Sequence, residues 1–169
     1  AGERGLFEML AEKNDQAFSK YQFNQIVTTD PHSYNAIKNE YPALGISYPV
    51  QHYTEFLRER LDDLKPLLKG NGHVRVTYHD PCYLGRVNDV YEEPRELLQA
   101  IPGVELTEMA HNRSTSLCCG GGGGGMWLDG FQWEKAHTRL SEWRVREAVS
   151  ANADILAVAC PYEAPRFED

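Results

Sequence analysis

The 169-residue chain carries 17 Lys and Arg against 25 Asp and Glu, a formal net charge of −8 at pH 7 and a pI near 5.2, so it offers nucleic acid and anionic lipid no bulk basic surface. With 41% hydrophobic and 25% charged residues it has the composition of one ordinary globular domain, or of two small ones sharing a core, and not of a disordered segment. Its longest apolar run, Ile155 to Cys160, is far short of a bilayer span and no charged-then-apolar leader opens it, so the segment is expected to be soluble as written.

From Gly5 onward Leu6, Phe7, Met9, Leu10 and Ala11 fall mostly on one side of a helix that fades near Lys20. Gln25 to Thr29 reads as a short β-branched strand stopped by Asp30-Pro31, because proline donates no ladder hydrogen bond and disfavours helix for its predecessor. A second strand is expected over Ser47 to His52. Tyr53, Phe56, Leu57, Arg60, Leu61, Leu64 and Leu68 then recur at helical steps, which predicts one amphipathic helix ended by Gly70 and Gly72. Val74 to Tyr78 is the next strand, broken by His79-Asp80-Pro81-Cys82. A helix is predicted from Glu93 or Pro94 through Ala100 and a strand from Glu105 to Met109. Gln132 to Ser150 reads as a helix offering Leu140, Trp143, Ala148 and Val149 to a core. The uniformly apolar Ile155 to Ala159 reads as a last strand buried on both faces. Strands alternating with helices predict an α/β fold with mainly parallel sheets and flanking helices.

One internal echo organises these elements. Helix followed by Ile26-Val27-Thr28-Thr29-Asp30-Pro31-His32-Ser33 matches helix followed by Leu156-Ala157-Val158-Ala159-Cys160-Pro161-Tyr162-Glu163. Two similar lobes on one plan would produce it, the first incomplete, so the chain reads as a fragment of a longer protein.

The four cysteines are distributed as one, a distant adjacent pair, and another distant one: Cys82, Cys118-Cys119 and Cys160. They are too few for a disulfide scaffold and do not follow two-finger zinc spacing. Cys82 and Cys160 each follow a strand directly beside a proline, at the sheet edge where open α/β folds gather ligands. Burial as inert thiols is the plain reading of any single one. It weakens for all four, since Cys82 sits in a polar turn and the pair adjoins six glycines. If they are metal ligands, one zinc ion would have to chelate both adjacent residues awkwardly, whereas adjacent thiolates can bind different irons of a cluster; thiolate-rich sites suit iron–sulfur, zinc or Cu(I).

The glycines from Gly120 formally contain a dinucleotide fingerprint, as any such run does, but they follow no clear strand and carry no Lys-Ser or Lys-Thr. A flexible linker is the bland alternative. The functional alternative is close backbone approach to a cluster, with N–H groups pointed at its sulfurs. His79, His111 and His137 are more commonly surface or capping residues than ligands, and Asp80 is expected as a turn and helix-cap residue.

His79-Asp80-Pro81-Cys82-Tyr83-Leu84-Gly85-Arg86, Leu117-Cys118-Cys119-Gly120-Gly121-Gly122 and Ala159-Cys160-Pro161-Tyr162 together resemble the cysteine-rich CCG domain family. Its members include a heterodisulfide reductase component and iron–sulfur components of quinone-linked reductases, many with two such domains in tandem. The resemblance covers essentially the whole chain. It implies that Cys82, Cys118, Cys119 and Cys160 bind a [4Fe–4S] cluster, noncubane with a fifth cysteine in some members and replaced by zinc in others. Where the family usually has that fifth cysteine this chain has Glu163, and the corresponding first-lobe positions are Asp30 and Ser33. The fifth ligand is therefore either absent or a carboxylate.

The resemblance gives residues 1–70 as the C-terminal part of a first lobe whose motif cysteines are replaced, and 71–169 as a second, cluster-binding lobe. It implies electron relay between a flavoprotein-linked donor and a quinone or disulfide acceptor, with Gly120, Gly121 and Gly122 against the cluster. Electron-transfer flavoprotein or another redox subunit is the expected partner. Neither nucleic acid nor membrane is expected to contact this segment, which is placed in the cytoplasm, with the inner membrane face reached only through the parent protein. The alternative is a zinc-binding docking module without redox activity. A Cys118-Cys119 redox switch ranks last because adjacent cysteines close a strained ring.

Overall fold

The computed structural model describes residues 3–125 and 137–168. Strands β1 (Ile26–Thr28) and β2 (Val50–His52) form a parallel pair, with Ile26 opposite Val50 and Thr28 opposite His52. Strand β3 (Val74–Tyr78) is the centre of a second parallel sheet, between β4 (Val104–Leu106) and β5 (Ile155–Ala157). Val76 faces Leu106 on one side and Ile155 on the other. The expected α/β class with parallel sheets and flanking helices is what the chain adopts. Seven α-helices accompany the strands among the described residues: α1 (Arg4–Phe18), α2 (Pro31–Asn35), α3 (Tyr53–Arg58), α4 (Leu61–Leu64), α5 (Glu92–Gln99), α6 (Leu140–Ser150) and α7 (Glu163–Glu168).

Local chemistry explains the departures from expectation. The single helix predicted over Tyr53 to Leu68 breaks into α3, α4 and a 3₁₀ turn at Lys65–Leu67. Arg60 leaves helical geometry at φ −109° and ψ 15°, and Pro66 cannot donate to Asp62, so an α-helix cannot run through it. Helix α2 was hidden from hydrophobic periodicity because capping makes it: the Asp30 carboxylate accepts the amides of His32 and Ser33, and Pro31 opens the first turn. The outer positions of α6 reverse the expected face. Leu140, Trp143 and Val149 are exposed, while Ser141, Arg144 and Ala148 point inward. Residues 132–136 of that predicted helix lie outside the described residues. Ile155, expected to be buried on both faces, is 51% exposed, because β5 is an edge strand of the three-stranded sheet.

The main core joins the two halves of the sequence. Tyr34 packs with Tyr78, Leu84, Val90 and Ala159, and Val50, Tyr53, Leu98 and Leu106 close around them. A second cluster of Ala11, Ile37, Tyr41 and Ile46 seats α1. Because β3 and β5 are parallel neighbours, the chain leaves both at the same edge, and that edge carries His79 to Cys82 from one strand and Ala159-Cys160 from the other.

Candidate metal centre

All four cysteines are unbridged, and three separate segments bring them together. Cys82, Cys119 and Cys160 line one small cavity at the shared edge of β3 and β5, and Cys118 hydrogen-bonds to both Cys82 and Cys119. Two of the sulfurs receive a backbone N–H, and the other two feel a neighbouring amide. Gly120 donates to Cys118 Sγ at 3.3 Å and Gly121 to Cys119 Sγ at 3.4 Å. The amides of Tyr83 and Tyr162 serve Cys82 and Cys160. Gly122 lines the cavity. The glycine requirement is conformational: Gly120 has φ +78°, and a Cβ on Gly125 would lie 2.3 Å from the Gly120 carbonyl oxygen.

The thiols share one charge. Hydrogen bonds from Cys119 and Cys82, joined by the Gly120 amide, pull Cys118 down to about 2. The same contact with Cys118, together with burial, pushes Cys82 and Cys119 far above the ordinary thiol range. Burial pushes Cys160 up to about 12, and the Glu163 charge acts in the same direction. Four convergent sulfurs with a single thiolate among three of them lack positive charge. A cation at their centre would let the remaining thiols ionise, so the donor set and its N–H cradle fit a thiolate-ligated metal group.

Several neighbours went unassigned by sequence. His32, from the first half of the chain, lies 3.9 Å from Cys160 Sγ and sits between the rings of Tyr83 and Tyr162, at 4.5 and 5.4 Å between centroids. Glu163 is buried and lines the cavity. Arg166, buried on α7, donates to the Cys119 carbonyl at 3.4 Å. Arg144 reaches His79 Nδ1 at 2.8 Å and the His111 carbonyl at 2.5 Å. A buried cation on the inward face of a helix gives no apolar signal, and His32 is remote in sequence; only the cysteine position taken by Glu163 carried a hint.

The other singled-out residues divide. Asp80, expected to cap a helix, instead accepts two bonds from Arg95, at 2.6 and 2.9 Å, and the Arg113 amide at 2.7 Å. His111 pairs with Glu147 at the surface, and His137 is exposed. The first-lobe counterpart, Asp30 to Ser33, is occupied by helix capping, with the Ser33 hydroxyl also donating to Asp30 at 2.7 Å.

In comparison with known proteins, the cysteine-rich domain family matches residues 76–162, from β3 through Tyr162. The chain belongs to the CCG cysteine-rich domain family. It is 45% identical to a probable iron-sulfur-binding oxidoreductase, FadF, of Bacillus subtilis over 95% of this chain and 22% of that protein. It is 36% identical to the EtfAB:quinone oxidoreductase of Syntrophomonas wolfei, over 95% of this chain and 23% of that protein. With one component of the dihydromethanophenazine:CoB–CoM heterodisulfide reductase of Methanosarcina barkeri it shares 34% identity, over 90% of this chain and 37% of that polypeptide. The chain therefore spans well under half the length of each. No solved structure matches it significantly. Among the described residues of this CCG chain, no helix is long and apolar enough to cross a membrane.

Proposed function

We propose that this CCG chain is an iron–sulfur electron-transfer module of a larger oxidoreductase, with Cys82, Cys118, Cys119 and Cys160 as ligands of a [4Fe–4S] cluster. The observation that carries this reading is the gathering of Cys82, Cys119 and Cys160 around one cavity, with Cys118 against Cys82 and Cys119 and backbone N–H donors on the adjacent pair. A bound cluster supplies one-electron chemistry. The chain supplies the thiolates, the Gly120 and Gly121 amides that stabilise negative charge on sulfur, and a cavity wall that includes Gly122 and excludes water. No side chain is assigned proton transfer. The relatives' names support a flavoprotein-linked donor, with a quinone or a disulfide as acceptor. The partner is then electron-transfer flavoprotein or another redox subunit in the cytoplasm, and any link to a membrane runs through the rest of the parent protein. Residues 1–70 are read as the end of a first lobe without metal ligands and 71–169 as the cluster-binding lobe.

The test is anaerobic purification with iron, sulfide and zinc analysis and EPR of the reduced protein. Iron and acid-labile sulfide in equal amounts, falling at least about tenfold in Cys160→Ser, are expected. A colourless protein holding one zinc per chain would replace this reading with the docking module.

A further inference from the structure

Glu163 stands where a further cysteine is expected from the family pattern, and its surroundings define what it can do. It is 1% exposed. Its Oε2 accepts the amides of Ala159 and Cys160, both at 3.2 Å, and its Oε1 lies 3.3 Å from His79 Nε2. The tautomer of His79 follows from Arg144, whose guanidinium can only donate. Since Arg144 Nε donates to His79 Nδ1, the imidazole hydrogen is on Nε2, the ring nitrogen that faces Glu163 Oε1. Two backbone N–H groups donate to one carboxylate oxygen and a ring N–H faces the other.

The same tautomer leaves His79 no free lone pair for a metal, although its donor atom, that of Glu163 and Cys119 Sγ all lie within 4.8 Å of one another. The lone pair of His79 Nδ1 faces Arg144 and its Nε2 carries the hydrogen, while Glu163 Oε2 accepts two amides. The carboxylate nonetheless forms part of the cavity wall with Cys82, Cys119 and Cys160, and its charge acts on all three of those thiols in the same sense.

We propose that Glu163 is a fixed, buried negative charge that lowers the reduction potential of the centre held by the four cysteines, with His79 and Arg144 as its positioning residues. This rests on the iron–sulfur reading of the site. The step concerned is the uptake of one electron from a reduced redox partner, with no bond formed or broken and no proton taken up. Glu163 opposes the added negative charge and so favours passing the electron on. A buried charge in the wall of the same cavity changes the oxidised-to-reduced ratio at a given poise by about tenfold or more, which is about 59 mV for a one-electron couple.

Anaerobically purified wild-type protein is compared with Glu163→Gln, Glu163→Ala and Glu163→Asp by iron and sulfide analysis and by potentiometric titration with EPR detection. The expected result is retained iron and sulfide, a potential about 59 mV or more higher in the neutral variants, and a near wild-type value in Glu163→Asp. A neutral variant that stays loaded with an unchanged or lower potential overturns the proposal. So does loss of iron and sulfide from both neutral variants, which would make Glu163 a ligand or an indispensable support. Wild-type protein without iron and sulfide removes the iron–sulfur reading itself, and this proposal with it.

Discussion

Arg95 is 2% exposed and keeps its charge inside the protein by meeting two carboxylates: Asp80 through both terminal nitrogens, and Glu108 at 2.7 and 3.0 Å. Removing Asp80 leaves this buried guanidinium with only the part-exposed Glu108. Asp80→Ala is expected to cost about 3–5 kcal/mol in urea unfolding, and to loosen the turn that presents Cys82. A second buried group gives a pH signature. Burial pushes His52 down to about 4. An unfolded histidine titrates near about 6.5, so between about pH 6.5 and about pH 4 the unfolded chain binds a proton that the folded chain refuses. Stability from this group is complete above that window and is lost as pH falls through it, by up to about 1.4 kcal/mol per pH unit. Urea midpoints measured from about pH 7 to about pH 5 should therefore fall less steeply in His52→Gln than in wild type.

Helix α2 shows how an element can be set by its first residue. Burial alone would push the Asp30 carboxyl up, yet hydrogen bonds from Ser33 and His32 hold it below the usual range. Asp30→Ala removes the cap and is expected to cost about 0.5–2 kcal/mol of stability, measured by thermal unfolding. The His32 ring, which hydrogen-bonds the same carboxylate at 3.1 Å, should lose its fixed place beside Cys160. Elements marked by β-branched runs or apolar stripes were legible in the sequence: β3 is Val74 to Tyr78 as expected, and α1 ends two residues before Lys20. The convergence of Cys82 and Cys160 on one edge was legible too, because parallel strands with X-Pro stops must deliver their next residues to the same side. What escaped was polar logic. Arg144 inside and Trp143 outside invert the apolar pattern of α6, since that face is chosen by a guanidinium that serves His79, the His111 carbonyl and Glu147. The break at Arg60 was similarly invisible to a periodicity that counts apolar positions and ignores Pro66.

Across the whole molecule, the main core uses Tyr34, Val50 and Tyr53 from the first half and Tyr78, Leu84 and Ala159 from the second. Leu84 is fully buried at this junction, and Leu84→Ala should destabilise the protein by about 2–5 kcal/mol in one cooperative urea transition. Two separable steps would contradict a shared core. The dispersal of the sulfurs along the chain also bears on biosynthesis. A nascent polypeptide leaving the ribosome exposes Cys82 long before Cys160 is translated, and Cys160 joins the others only after β5 has zipped onto β3. A site that uses both sulfurs is complete only once that pairing has formed.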